Sequence, residues 1–441
     1  MKRFENAQVW SDGKLRPLSV IVEGEKILAL IEPGAVDHQS TDQIIDVSGK
    51  WILPGGIDLH VHISDGAETF FPGSCSAAAG GITTVLDMAP FHACITVEQL
   101  YEKAISADEA CVVDFGLIAG IVVENSDLEN LAELSHAGSA YFKVFQPSEP
   151  PVSTETLWKS VQAAAKTGLR LGLHAEETAF LLPFLEENDP LSFPHSRPAI
   201  AESSVVAHVI EMARATGAPI HICHISTGRT AELVAWGKAH GVDVTCEVPP
   251  HFLLLDESAF SIYGARAKTT PPLRTQVDTQ ILWQALNDGV IDAIACDHYT
   301  ESLIPLSSKP QAIRAAGAGI AGLELSLPLM MDAVLNGKLS LNRFVEASSE
   351  TPALLAGLSA SKGRLSSGKH ADLTIWEPEL NWKVKPSGDF SRVETTPFSG
   401  WNLKGRIAQT WVRGEQVWDG EKIQKAAGYG LWAKSIKGDN P

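Results

Sequence analysis

Between residues 57 and 298 the chain repeats one two-part unit, a short apolar, β-branched run followed by a longer helix-like stretch. The runs are "IDLHVHI" (57–63), "ITTVLDM" (82–88), "DFGLIAGI" (114–121), "AYFKVF" (140–145), "LRLGLHAE" (169–176), "APIHICHI" (218–225), "VDVTCEV" (242–248) and "IDAIACDH" (291–298). Near-continuous apolar runs suit strands buried on both faces, as in a parallel sheet covered by helices. The intervening segments carry helix punctuation: "STETLWKSVQAAAKTG" opens on a Ser/Thr cap and closes on Gly168, and "ESSVVAHVIEMARATG" and "GRTAELVAWGKAHG" also close on glycine. Eight such units are the count of a (β/α)8 TIM barrel of the α/β class. A doubly wound open sheet is the rival, but a single eightfold series without a GxGxxG-type turn speaks against it.

The two ends read differently. "PLSVIVEGEKILAL", "HADLTIWEP" and "IAQTWVRGEQVWDG" are short strand-like pieces with turn residues. The expected organisation is a small antiparallel, β-sandwich-like domain built from both termini (1–52 and 362–441), with the barrel over 53–361. A chain of 441 residues exceeds one small core, in keeping with that division. The Gly/Ala/Pro-rich stretch 301–322 after the eighth run is long enough to be a functional loop.

A net charge of −18 argues against nucleic acid or an anionic membrane as partner. The opening "MKRFENAQVW" has no apolar signal-like region, and no run approaches a membrane span. Six scattered cysteines without a CxxC pair fit reduced core thiols. A cytoplasmic protein is expected.

Barrel active sites form at the C-terminal ends of the strands. The first run supplies His60 and His62, whose i, i+2 spacing puts both imidazoles on one face. The fourth supplies Lys143, the fifth His174, the sixth His224 and the eighth Asp297. Each alone has a plainer reading: a hydrogen-bonded histidine, a snorkelling lysine or a capping aspartate. Together they place five ligand-type side chains and a lysine on one rim, which points to metal. Four histidines and one aspartate exceed the three protein ligands of a single catalytic zinc. Two metals need a bridging anion, and a neutral lysine can become one by reacting with CO2 to form a carbamate.

The series "GGIDLHVH", "AAAGGITTVLDM", "YFKVF", "LHAEE", "HICHIS", "CEVPPHFLLL", "KTTPPLR" and "DAIACDH" resembles the cyclic amidohydrolases, the group of dihydroorotase, allantoinase and hydantoinase/dihydropyrimidinase. "KGRLSSGKHADLTIWEP" and "TPFSGWNLKGRIAQTWVRG" resemble that family's closing β domain. The resemblance implies two divalent metals, zinc by default. His60, His62 and Asp297 would hold one and His174 and His224 the other, with N6-carboxylated Lys143 bridging. It further implies that a metal-bridging hydroxide opens a C–N bond of a small cyclic amide, with Asp297 moving the proton. A homodimer or homotetramer is also implied. A mononuclear deaminase would lack the lysine, and a non-catalytic scaffold would lack a ligand.

The ring is narrowed by departures from the family's pattern. Ser64 stands where dihydroorotases carry a carboxylate-holding arginine, the following loop "SDGAETFFPGS" is shortened, and "MAPFHACI" lacks their asparagine. Ser148 stands where hydantoinases place an oxyanion-stabilising tyrosine, leaving His251 and Thr270 as substitute donors. "DHYTES" replaces the family's "DHxPH". An allantoinase-like ureide hydrolase is favoured. Hydantoinase or another cyclic imide hydrolase is the alternative, and dihydroorotase ranks lower. Ser64, Pro90, Phe91, Ser148, His251, Thr270, Arg274, His298, Tyr299, Gly319 and Ile320 are the candidate pocket residues. Among these, Arg274 reads better as a structural ion pair and His298 as a support for Asp297.

Overall fold

The computed structural model describes residues 1–35, 43–90, 93–183, 189–300, 310–385, 390 and 396–436. Each apolar run forms at least one strand. In chain order these are Gly56–His62, Ile82–Asp87, Asp114–Leu117 with Ala119–Val122, Tyr141–Phe145, Arg170–His174, Ile220–Ile222, Val244–Val248, and Ala293–Ile294 with His298–Tyr299. All their mutual pairings are parallel.

The third and eighth runs are each broken in two, dividing the ladder into a four-stranded and a six-stranded sheet. The same runs join those sheets. Asp114–Leu117 pairs with the second strand and Ala119–Val122 with the fourth. Ala293–Ile294 pairs with Glu247 and Val248, and His298–Tyr299 with Val61 and His62. The ring therefore closes through the chain itself, giving the expected (β/α)8 barrel.

Local sequence explains the helices around it. Thr154–Thr167 starts where the Ser153 hydroxyl accepts from the Thr156 N–H, and ends at Gly168 in the left-handed region. Ala199–Thr216 ends the same way at Gly217. Gly228–Ala239 is capped by Thr227 at its start, but its last residue hands over to His240, and Gly241 follows one position later. The 301–322 stretch is not wholly a loop. Residues 301–309 lie outside the described residues, and Pro310–Ala315 is helical.

The termini form one eight-stranded sheet from Lys2–Ser11, Lys14–Glu23, Lys26–Ile31, Gln43–Asp46, Trp51–Pro54, Leu373–Lys383, Asn402–Val412 and Glu415–Trp418. Its pairings are antiparallel with two exceptions: Lys2–Ser11 runs parallel to both Gln43–Asp46 and Trp51–Pro54. The antiparallel expectation fails there because the pattern of short strands carries no information on which neighbour each will choose. Lys362 fastens this sheet to the barrel's lower end, 2.7 Å from Asp114 and 2.6 Å from Asp372. All six cysteines are buried and unpaired. Among the described residues no helix is long and apolar enough to cross a membrane.

Candidate metal centre

The six side chains, from five strand ends, meet at the upper rim of the barrel. His60 and His62 bring their Nε2 atoms to 3.2 Å, and Asp297 Oδ1 lies 3.4 Å from the first and 3.7 Å from the second. His174 Nδ1 and His224 Nε2 are 3.0 Å apart, and the His60 and His224 rings are 5.1 Å apart. Lys143 reaches up between them, with Nζ 2.9 Å from His60 Nε2. Two nitrogens bound to one tetrahedral zinc would be about 3.3 Å apart, so these spacings fit a shared cation.

Two of the six sit on strained backbone. His224 has φ 33° and Asp297 φ 48°, left-handed values that residues with a Cβ rarely adopt. The turn aims each side chain inward where its strand ends.

Three of the four histidines have their second ring nitrogen held by a carboxylate. His60 Nδ1 meets Glu247, His62 Nδ1 lies 2.8 Å from Asp65, and His174 Nε2 lies 2.8 Å from Glu176. Such partners fix which nitrogen carries the proton and turn the other nitrogen's lone pair towards the cluster. Arg197 grips Glu176 from behind through Nε (3.0 Å) and a terminal nitrogen (2.6 Å). Asp58 accepts from the N–H groups of His60 (3.0 Å) and Cys296 (3.1 Å), tying the first strand to the residue before Asp297.

Burial, with Lys143 alongside, drives the His60 imidazole down to about 4. Burial likewise lowers His174 and carries His224 well below its ordinary value. Burial would raise Asp297, but His60, His62 and Lys143 outweigh it and hold the carboxyl below its usual range. Neutral imidazoles and an ionised carboxylate are the forms that ligate a metal. Lys143 is buried, and among the described residues no carboxylate oxygen lies within 4 Å of its Nζ. A buried ammonium without a counter-ion is costly.

The pocket candidates divide. Ser64 is committed elsewhere: its hydroxyl donates to Asp87 Oδ2 at 2.6 Å, and Lys103 also pairs with Asp87 at 2.6 Å. Ser148 donates to the Pro150 carbonyl at 2.7 Å. His251 is buried near Asp297, and its Nε2 has no partner among the described residues. Thr270 is half-buried beside Thr269, whose hydroxyl donates to the Pro271 carbonyl. Tyr299 stands edge-on to His62 with ring centroids 6.0 Å apart. Gly319 backs it, since a Cβ there would sit 2.6 Å from Tyr299 Cβ, and Ile320 is buried with its carbonyl accepting from the Tyr299 N–H. Phe91 lies outside the described residues. Arg274 is structural, its guanidinium donating to Ser226 and to the Arg197 carbonyl.

His298 departs from expectation. Its Nε2 lies 3.1 Å from Glu68, and its Nδ1 accepts from the N–H groups of Gly322 and Leu323. Both ring nitrogens are engaged away from Asp297 and from the cluster. Glu68, on the loop that follows the first strand, reaches the eighth strand at this point.

Sequence reasoning missed Asp58, Asp65, Glu176, Arg197 and Glu247. Asp58 and Glu176 each stand two residues from a cluster histidine, so period-two reading of the runs places them on the same face. Glu247 and Arg197 gave no such local signal.

The amidohydrolase family model matches residues 51–417. An allantoinase of Streptomyces avermitilis is 33% identical over 92% of this chain and 93% of its own length. A dihydroorotase of Citrifermentans bemidjiense is 35% identical over 85% of this chain and 89% of its own. Among solved structures, the L-hydantoinase of Arthrobacter aurescens superposes with a TM-score of 0.92 at 28% identity, covering 98% of this chain and 99% of that one.

Proposed function

The chain belongs to the amidohydrolase family, and from that premise we propose that it hydrolyses a C–N bond of an uncharged cyclic amide, with a ureide ring of the allantoin kind favoured. The observation that carries the hydrolase reading is the convergence of His60, His62, Lys143, His174, His224 and Asp297 on one buried point. His60, His62 and Asp297 would hold one divalent cation, and His174 and His224 a second. Lys143 would bridge them after carboxylation on Nζ, which turns an uncompensated buried cation into an anion with two oxygens. Zinc suits this nitrogen and oxygen donor set.

The two cations, when bound, would supply Lewis acidity at the ring carbonyl and lower the pKa of the attacking water. The chain's own residues do the rest. Asp297, whose carboxyl is held below its usual range, accepts the water's proton and delivers it to the leaving ring nitrogen. His251 presents an unpaired buried nitrogen beside Asp297 and is placed to hydrogen-bond the ring. Tyr299 walls the side next to His62.

The preference for an uncharged ring rests on the cations near the rim. Lys103 is paired with Asp87, Arg197 with Glu176, and Arg274 is bound to Ser226 and a carbonyl. Among the described residues, none of these three is free to hold a substrate carboxylate. Hydantoin is the second reading, favoured by the close superposition on a hydantoinase, though Ser148 offers no tyrosine hydroxyl.

The test is a panel of initial ring-opening rates on allantoin, hydantoin, dihydrouracil and dihydroorotate, with protein prepared in zinc and bicarbonate and its metal counted. Allantoin leading by orders of magnitude is expected. Dihydroorotate leading would overturn the uncharged-ring reading. Silence on all four with two metals per chain would move the substrate to another cyclic amide or imide.

A further inference from the structure

Glu247 touches both halves of the cluster at once. It is the next-to-last residue of the seventh strand, Val244–Val248, and is fully buried. Its Oε1 meets His60 Nδ1, a side-chain contact to the half-site of the first strand. The same oxygen accepts from the main-chain N–H of His224 at 3.3 Å, a backbone contact to the half-site of the sixth strand. The Glu247 carbonyl accepts the next N–H, that of Ile225, at 3.0 Å. Two successive N–H groups of the turn that carries His224 at φ 33° therefore end on one residue. His221, on the sixth strand and in register with Thr245, places its Nε2 3.1 Å from Glu247 Oε2, while its Nδ1 lies 2.8 Å from the Thr245 hydroxyl.

We propose that Glu247 is the positioning residue that couples the two metal half-sites, with His221, itself fixed by Thr245, packed close against the carboxylate. The inference rests on the metal-centre reading given above and adds to it a single point of control. A left-handed turn with a Cβ persists only where its surroundings over-determine it, and Glu247 binds that turn at two consecutive amides. The His60 ring is oriented by the same oxygen, so a displacement of the carboxylate moves both sites together. Local support of one histidine would not do this. Asp65 and Glu176 are examples of such local support, since each faces one ring.

Zinc-loaded wild type and the variants Glu247→Gln and His221→Phe are titrated against a chelator, and the affinity of each metal is measured separately from activity. The expected result is that wild type binds two metals per chain, while Glu247→Gln weakens both by about 10–100-fold. His221→Phe is expected to weaken both in the same direction by a smaller factor. Weakening of one metal only in Glu247→Gln overturns the coupling, because Glu247 would then serve one half-site. Unchanged affinities also overturn it, as does an equal loss of melting temperature in metal-free and loaded protein without a change in affinity. If Glu247→Gln does not fold, His221→Phe decides by the same criteria. A wild type that takes up no metal overturns the metal-centre reading and the coupling with it. Two tightly held metals with wild-type behaviour in the variants overturn the coupling alone.

Discussion

Lys143 Nζ lies 2.9 Å from His60 Nε2, a buried ammonium beside an imidazole nitrogen whose other side is already taken by Glu247. Nothing acidic among the described residues balances that charge within 4 Å. The hydrogen bond to His60 leaves that charge without a counter-ion, and carboxylation of the lysine together with a bound cation would remove the imbalance.

Lys143→Ala should therefore lower turnover by more than about 100-fold and lose bound metal, and a short free carboxylate should restore part of both. Labelled bicarbonate should give a carbamate carbon signal in wild type that the variant lacks. A variant retaining full metal content and rate would remove the bridging role.

The stability of the metal-free protein should fall as pH drops from about 6.5 towards 4. Burial lowers both His251 and His60 to about 4 from the ordinary imidazole value of 6.5, so in that window the unfolded chain binds protons that the folded chain refuses. The contribution of His251 is complete above pH 6.5, and about 3 kcal/mol of it is gone once pH reaches 4. Melting temperatures across the window should show a slope that His251→Gln flattens. An unchanged slope in that variant would mean that other groups carry it.

Arg197→Met should leave the buried Glu176 carboxylate with His174 as its one remaining partner among those described above. Loss of one member of a buried ion pair costs about 3–5 kcal/mol, readable in urea unfolding. Glu176→Gln added to it should recover part of that loss, since the stranded charge is gone. If the double variant is no more stable than the single one, the charge was not the cause.

Ser64→Ala should cost about 1 kcal/mol through the lost hydrogen bond to Asp87 and leave KM for the best substrate in place. A raised KM at unchanged stability would show that the hydroxyl faces the substrate instead.

Much of this was legible in the chain because it is local. Strand and helix runs follow from apolar periodicity and capping residues, and the eight runs reappear as strands of the barrel. His60 and His62 share a face because alternation along a strand is fixed by backbone geometry. The breaks in the third and eighth runs were not legible, because they depend on where the ring must close. The engagement of His298 with Glu68 was not legible either, since the two lie 230 positions apart and meet only through packing.

By itself, then, the sequence determined the elements, the barrel count and the residue types at the strand ends. All of these follow from interactions between positions a few residues apart. Only the tertiary structure decided which carboxylate supports which histidine. Glu247 lies 187 positions from His60 and meets it because barrel closure brings their strands to the same rim. Such a pairing is a property of packing and has no signature in spacing along the chain.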